Sequence, residues 1–408
     1  MSGGKGDLPS GLRLTPLDPV FRERPHEYLD RLRAEDPAHR DTMLNRVFFT
    51  RFEDVKAVVS NRNLFVDPRK APPGSYHRRI VLGADQDFQP SMLHLDDPDH
   101  KRIRGLVSQA FNQRSVEAFR PRIRAIASEL LDAVESRVSF DLIAEYAAPL
   151  PTIVIAEMLG VDPADQAQFK RWSDALAHTF NPQRTPEQDA ELSAAAAGLI
   201  GYFQNAIEAR RRQRGSDLVS ALVAAEEDGD RLSEREIIST CNLLLVAGNV
   251  TTTDLIGNAV LALLRNPDQL ALLRRQPELV RNAVEEALRY DPPVAQTSRL
   301  ALEPMMIGSA EVRQGDSLNA SLLAAGRDPA VHADPHRFDI TRADTSHFAF
   351  GGGAHFCLGA PLARAEAQIA LALLLERFAA LGLDEAHPVE HKRAPVFNGL
   401  AALWVRVG

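Results

Sequence analysis

Only two cysteines, Cys241 and Cys357, occur in 408 residues. That is too few for a disulfide framework, and a reducing cytoplasm is the expected setting. It is also too few for an iron–sulfur ligand set, and no flavin or nicotinamide fingerprint is present. No run approaches the ~18 apolar residues of a membrane span, and Met1-Ser2-Gly3-Gly4-Lys5-Gly6-Asp7-Leu8-Pro9 lacks the apolar core of a signal peptide. The net charge of −8 offers no basic footprint for nucleic acid. No Gly/Ser linker, low-complexity tract or repeat divides the chain, so a single domain over 1–408 is expected. With 45% hydrophobic and 25% charged residues, it has ordinary globular composition and ample length for a large core.

What is present reads as mainly α with a small β portion. Residues 115–135, 190–212, 234–264 and 360–380 carry apolar residues at helical spacing. A further helix over Val284–Tyr290 stops before Pro292-Pro293. Short β-like pieces lie near Val47–Thr50 and Leu403–Val407. The stretches 66–92 and 178–190, with Pro68, Pro72, Pro73, Gly74 and Gly83 in one and Pro182 and Pro186 in the other, read as surface loops.

Chemistry concentrates in Phe350-Gly351-Gly352-Gly353-Ala354-His355-Phe356-Cys357-Leu358-Gly359. Consecutive glycines let the backbone approach a flat partner closely. A helical run begins at Ala360, and a thiol near a helix start is readily deprotonated into the metal-binding form. A thiolate held under one face of a haem iron suits that arrangement. A lone cysteine is more often a buried core residue; the spacing Phe-x-x-Gly-x-x-x-Cys-x-Gly argues otherwise, and it resembles the haem-binding loop of the cytochrome P450 family. Phe350, Gly353, Cys357 and Gly359 fill the fixed positions, and the resemblance covers the chain from about residue 15 onward.

Further segments resemble family segments in the same order. Ala247-Gly248-Asn249-Val250-Thr251-Thr252, inside the apolar run from Ile237, resembles the oxygen-binding groove of a long central helix over the haem. Gly248 in mid-helix costs about 1 kcal/mol relative to Ala, which makes sense if something flat comes close. The resemblance gives Thr251 the hydroxyl that donates to dioxygen. Val250 stands where relatives carry Asp or Glu, and valine cannot carry a proton. Three routes remain open: relay through Thr251 and water, substitution by Asn249 or Thr252, or weak, poorly coupled activity.

Glu286 and Arg289 match the family's Glu-x-x-Arg, with Arg337 of His336-Arg337-Phe338 as the expected third member of a structural trio. Asp97-Pro98-Asp99-His100-Lys101-Arg102-Ile103-Arg104 places His100 and Arg104 on one helical face. With Arg299 and His355, they are the expected partners of the haem propionates, which need basic or hydrogen-bonding groups when buried. In Ala325-Gly326-Arg327, Gly326 replaces the family's usual Asn without evident functional consequence. Cys241 reads as a core residue.

The resemblance therefore implies the cytochrome P450 fold, haem b with axial Cys357, and loops 66–92 and 178–190 over a substrate pocket. Val246, Ala247, Val250, Val294, Ala295, Val396 and Phe397 would line that pocket, so an apolar small molecule is the expected substrate. The haem contacts would also include Gly248, Phe350 and Gly351. Electrons would come from an external ferredoxin and its reductase, guided by a basic patch of Lys101, Arg102, Arg114 and Arg364. The implied activity is insertion of one oxygen atom from O2. Peroxide-driven oxidation and a non-catalytic haem-based ligand sensor are the alternatives.

Overall fold

The computed structural model of the chain describes residues 8–73, 75, 77–78, 90–176, 184–227 and 232–407. The helices that carry the argument are α1 (Pro25–Glu35), α2 (Phe52–Ser60), α3 (Asp99–Val107), α4 (Gln113–Asp132), α5 (Pro149–Leu159), α6 (Gln166–Leu176), α7 (Pro186–Arg212), α8 (Glu234–Arg265), α9 (Val280–Tyr290) and α10 (Ala360–Arg377). Short strands accompany them: β1 (Ala38–Asp41), β2 (Arg46–Phe49), β3 (Leu64–Phe65), β4 (Ser139–Asp141), β5 (Gln296–Ala301), β6 (Met305–Ile307), β7 (Ala310–Val312), β8 (Ser317–Ser321), β9 (Gly382–Leu383) and β10 (Trp404–Arg406). The fold is mainly α with a small β portion, as the periodicity predicts. The chain forms two compact units: one from 1–88, 285–357 and 391–399, the other from 89–284, 358–390 and 400–408. Each is assembled from three separated stretches, so no linker marks the division.

The first unit is built on a sheet of order β1-β2-β8-β5-β3, in which only β2 and β8 run parallel. One face buries Val47, Phe49, Leu318 and Ala320 against Phe52, Val55, Val58 and Val59 of α2. The other packs Phe48 and Ala295 against Leu29 and Leu32 of α1. A buried polar chain ties the sheet to the 395–397 segment. Arg46 pairs with Asp41 at 3.0 Å and donates to Gln296 Oε1 at 3.1 Å, while Gln296 Nε2 donates to Pro395 O at 3.2 Å.

The second unit centres on α8. Ser233 and Glu236 form a capping box that starts it, and its apolar residues face inward on most sides. By length and composition α8 could cross a membrane, but 72% of its most apolar window is buried inside the protein, as in a core helix. It packs on α5, α7 and α10. Gly257 is required for packing, since a Cβ there would stand 2.7 Å from Ile143 Cδ1. The strands β4, β10 and β9 form a small antiparallel sheet in this unit.

Two expectations change. The stretch 178–190 is loop only in part: α7 begins at Pro186, because a proline at the first turn and the Thr185–Gln188 capping box favour a helix start. Residues 178–183 lie outside the described residues, as do Gly74, Gly83 and most of 79–92. The described part of 66–92 includes a 3-10 turn at Pro68–Lys70 and an anchor at His77, whose Nδ1 lies 3.0 Å from Ser298 Oγ and whose Nε2 lies 2.6 Å from Val66 O.

The second correction concerns the structural trio. Arg289 and Glu286 are fully buried, with bonds at 2.7 and 2.8 Å. The third side chain is Arg342, whose Nε lies 3.3 Å from Glu286 Oε2. The Arg337 side chain is 61% exposed, beyond reach of that carboxylate, and the residue contributes only its carbonyl, which accepts from Arg289 Nη2 at 3.1 Å. Gly326 also acquires a reason. A Cβ there would stand 2.2 Å from Arg289 O, and the Gly326 carbonyl accepts from Arg289 Nη1 at 2.8 Å.

Removing one partner of a buried ion pair leaves an uncompensated charge, which costs about 3–5 kcal/mol. Chemical denaturation should therefore show Glu286→Gln destabilised by about that much, Arg342→Ala by about 1–3 kcal/mol, and Arg337→Ala by no more than about 0.5 kcal/mol.

Candidate functional site

In the first unit the cysteine loop is shaped by glycine backbone. Gly351 and Gly353 hold φ of 69° and 65°, where other residues are strained. The loop closes on itself: Cys357 N donates to Phe350 O at 2.8 Å and Gly351 N to Phe348 O at 2.7 Å. It also lies hard against the end of α2. A Cβ on Gly352 would stand 2.7 Å from Val59 Cγ2, and one on Gly353 would stand 2.8 Å from Val59 O. Close approach to Val59 and Ser60 is thus what these two glycines permit within the protein. Cys357 is exposed at the loop's end, unusual for one of the most buried residue types. Phe356 beside it is 43% exposed, and Phe350 rests near it with ring centroids 6.2 Å apart.

Arg299 on β5 is buried and donates to Ser298 O at 2.9 Å and to Thr297 Oγ1 at 3.3 Å. His355 is half-buried two residues before the cysteine. Val294 bridges to Phe397, and Ala295 N donates to Val396 O at 2.9 Å. These four apolar residues are therefore brought together, with the Gln296–Pro395 bond behind them.

In the second unit the middle of α8 has one open face. Ala247 is exposed and Val246, Gly248 and Thr251 are partly so, while Asn249, Val250 and Thr252 are buried. Thr251 Oγ1 donates to Ala247 O one turn back at 2.8 Å, a bond that loosens the helical ladder. Gly248 is not demanded by packing within the protein, because a Cβ there would make an ordinary 3.6 Å contact with Ile155. Asn249 and Thr252 do not join Thr251. Asn249, two residues from Ala247 and hence on the opposite face, donates to Ser173 Oγ of α6 at 2.8 Å and accepts from Thr253 Oγ1 at 3.3 Å. Ser173 is a partner that no motif signalled.

On α3, His100 is buried, with Nδ1 3.4 Å from Asp97 Oδ1, and burial lowers its pKa below the usual histidine value. Arg104 is half-buried on the same face. Of the basic patch, Lys101 and Arg114 are exposed and Arg364 is partly so. Arg102 is engaged by Glu236 at 2.5 Å and Asp99 at 3.1 Å, which raise its pKa. Cys241 is fully buried, and burial pushes its thiol up to about 12, so it is no thiolate near neutral pH.

Each unit carries groups whose chemistry suits a haem: the first has the sulfur of Cys357 with the Arg299 guanidinium and the His355 imidazole, and the second has an open apolar helix face with His100 and Arg104 fit for carboxylates.

Comparison with known proteins gives the same direction. The family model described as Cytochrome P450 matches residues 42–397. The chain is 42% identical to cytochrome P450 107B1 of Saccharopolyspora erythraea, with 99% of each covered. It is 40% identical to cytochrome P450 monooxygenase PikC of Streptomyces venezuelae, covering 98% of this chain and 94% of that one. Among solved structures it resembles myxobacterial cytochrome P450 CYP267B1 in complex with myristic acid, at 38% identity and TM-score 0.88, over 96% of this chain and 98% of that chain.

Gly353→Ala introduces both a strained φ and a clash with Val59 O. Thermal and chemical unfolding should show a loss of about 1–3 kcal/mol, whereas Gly248→Ala should fold with no loss. Equal stability of Gly353→Ala and the parent would contradict the packing role given to the loop.

Proposed function

Because the chain belongs to the cytochrome P450 family, whose members are haem-thiolate oxidoreductases that incorporate oxygen, we propose that it inserts one oxygen atom from O2 into an apolar small molecule, with electrons from an external ferredoxin and its reductase. The observation that carries this reading is Cys357 at the end of a glycine loop fixed by backbone hydrogen bonds and by its seat on α2. The haem supplies oxygen activation when bound; the protein supplies position, exclusion of water and protons. Cys357 would hold the iron, since Cys241 is buried and its thiol is pushed up to about 12. His100, Arg104, Arg299 and His355 would take the carboxylates of the haem, Ala247 and Gly248 would leave room for it, and Phe350, Gly351 and Gly359 would frame the sulfur.

Val246, Ala247, Val250, Val294, Ala295, Val396 and Phe397 offer no charge to a substrate, which favours an apolar one. The myristic acid held by the similar CYP267B1 is apolar along its alkyl chain. Lys101, Arg114 and Arg364 form the patch for an acidic redox partner, and Arg102, neutralised by Glu236, contributes little to it. The enzyme acts in the cytoplasm.

Thr251 would be the residue that positions the proton source. Its hydroxyl hydrogen is engaged by Ala247 O, so its lone pairs would accept from water and hold that water in place. Neither sequence neighbour of Thr251 is an acid, Val250 being buried and aliphatic, and Asn249 is turned to Ser173. That same dryness favours a second reading, oxidation driven by peroxide, which needs no relay.

Thr251→Val keeps the shape and removes the hydroxyl. Product formed per reduced nicotinamide should fall by about tenfold or more, and Thr251→Ser should restore it. Unchanged coupling in Thr251→Val, with peroxide supporting turnover equally well in both proteins, would replace the relay by the peroxide reading.

A further inference from the structure

A second set of metal-type donors lies in the first unit, away from Cys357 in sequence. His26 and Asp30 are four apart on α1 and share a face, and His336 joins them from the turn after Asp334-Pro335. One donor atom from each lies within 4.8 Å of the others. His336 Nε2 is 3.0 Å from Asp30 Oδ2, and the two imidazole rings meet edge-on with centroids 5.4 Å apart. Both ring nitrogens of His26 are buried and have no hydrogen-bond partner among the described residues. Buried polar groups are otherwise answered almost everywhere in proteins. A cavity of about 450 Å³ lined by Asp30, Arg33, Ala34, Pro329, Pro335 and His336 opens beside the group.

We propose that His26, Asp30 and His336 bind a transition-metal dication of the zinc type, through two imidazole nitrogens and one carboxylate oxygen, with water completing the shell. Donor chemistry selects the metal. Two nitrogen lone pairs and one oxygen suit zinc and its neighbours, whereas magnesium and calcium want an oxygen shell. The local charge does not discriminate, since zinc and magnesium carry the same charge, and it opposes any dication. Arg33 donates to Asp30 Oδ1 at 2.7 Å, leaving Oδ2 on the His336 side, and Arg327, Arg33 and Arg289 weigh on His26. A cation held by charge alone would be repelled there, while one held by nitrogen lone pairs can stay. The site is reachable, because the His336 side chain is 49% exposed. Its ligands tie α1 to the 333–339 turn, whose Pro335 and Arg337 carbonyls accept from Arg289.

The test is calorimetric titration of the haem-loaded enzyme with zinc chloride, repeated with magnesium chloride. The expected result is one zinc equivalent bound, no saturable magnesium heat, and an unchanged haem spectrum. His336→Ala, an exposed substitution that leaves folding intact, should weaken zinc by on the order of tenfold or more, as should Asp30→Asn. Zinc affinity equal in His336→Ala and the parent, or no saturable zinc binding, would overturn the proposal.

Discussion

The close seating of a glycine backbone on the end of one helix is the constraint from which the rest of the first unit follows. Gly352 and Gly353 leave no room for a side chain against Val59 and Ser60, so the loop rides directly on α2. The hydrogen bond from Cys357 N to Phe350 O then fixes where the sulfur emerges. A metal ligand held by backbone geometry loses little conformational freedom on binding. Since α2 is itself locked into the sheet by Phe52, Val55, Val58 and Val59, sheet packing sets the sulfur position.

A second backbone-directed device stabilises the same unit. Arg289 answers the carboxylate of Glu286 and the carbonyls of Gly326, Pro335 and Arg337. One buried guanidinium, with five donors in a rigid fork, thus collects three chain segments that are remote in sequence. This is a use of a buried ion pair for specificity of assembly, and it explains why the 326 turn needs glycine.

Much of this was legible beforehand. Helical periodicity gave α4, α7, α8 and α10 to within a few residues, and the cysteine motif gave the family. What escaped the sequence depended on contacts between remote residues. Arg337 sits in the expected motif, yet its side chain turns outward and Arg342 reaches Glu286, because spacing identifies a loop but not which arginine of it points inward. Asn249 and Thr252 are neighbours of Thr251 in sequence, but 100° of rotation per residue moves them off its face. Ser173, the partner that holds Asn249, lies in α6 and no pattern announces it. The glycine loop was read as making room for a ligand, and within the protein two of its three glycines also make room for α2. Pro186 read as a loop breaker and proved to be a helix start.

The most direct test of the central claim, that Cys357 carries the thiolate, compares Cys357→Ser with Cys241→Ser in the reduced, carbon monoxide-bound haem protein. The account predicts that Cys241→Ser keeps the absorption signature of thiolate ligation and that Cys357→Ser loses it while still folding. Retention of that signature by Cys357→Ser, or its loss in Cys241→Ser with the fold intact, would contradict the account.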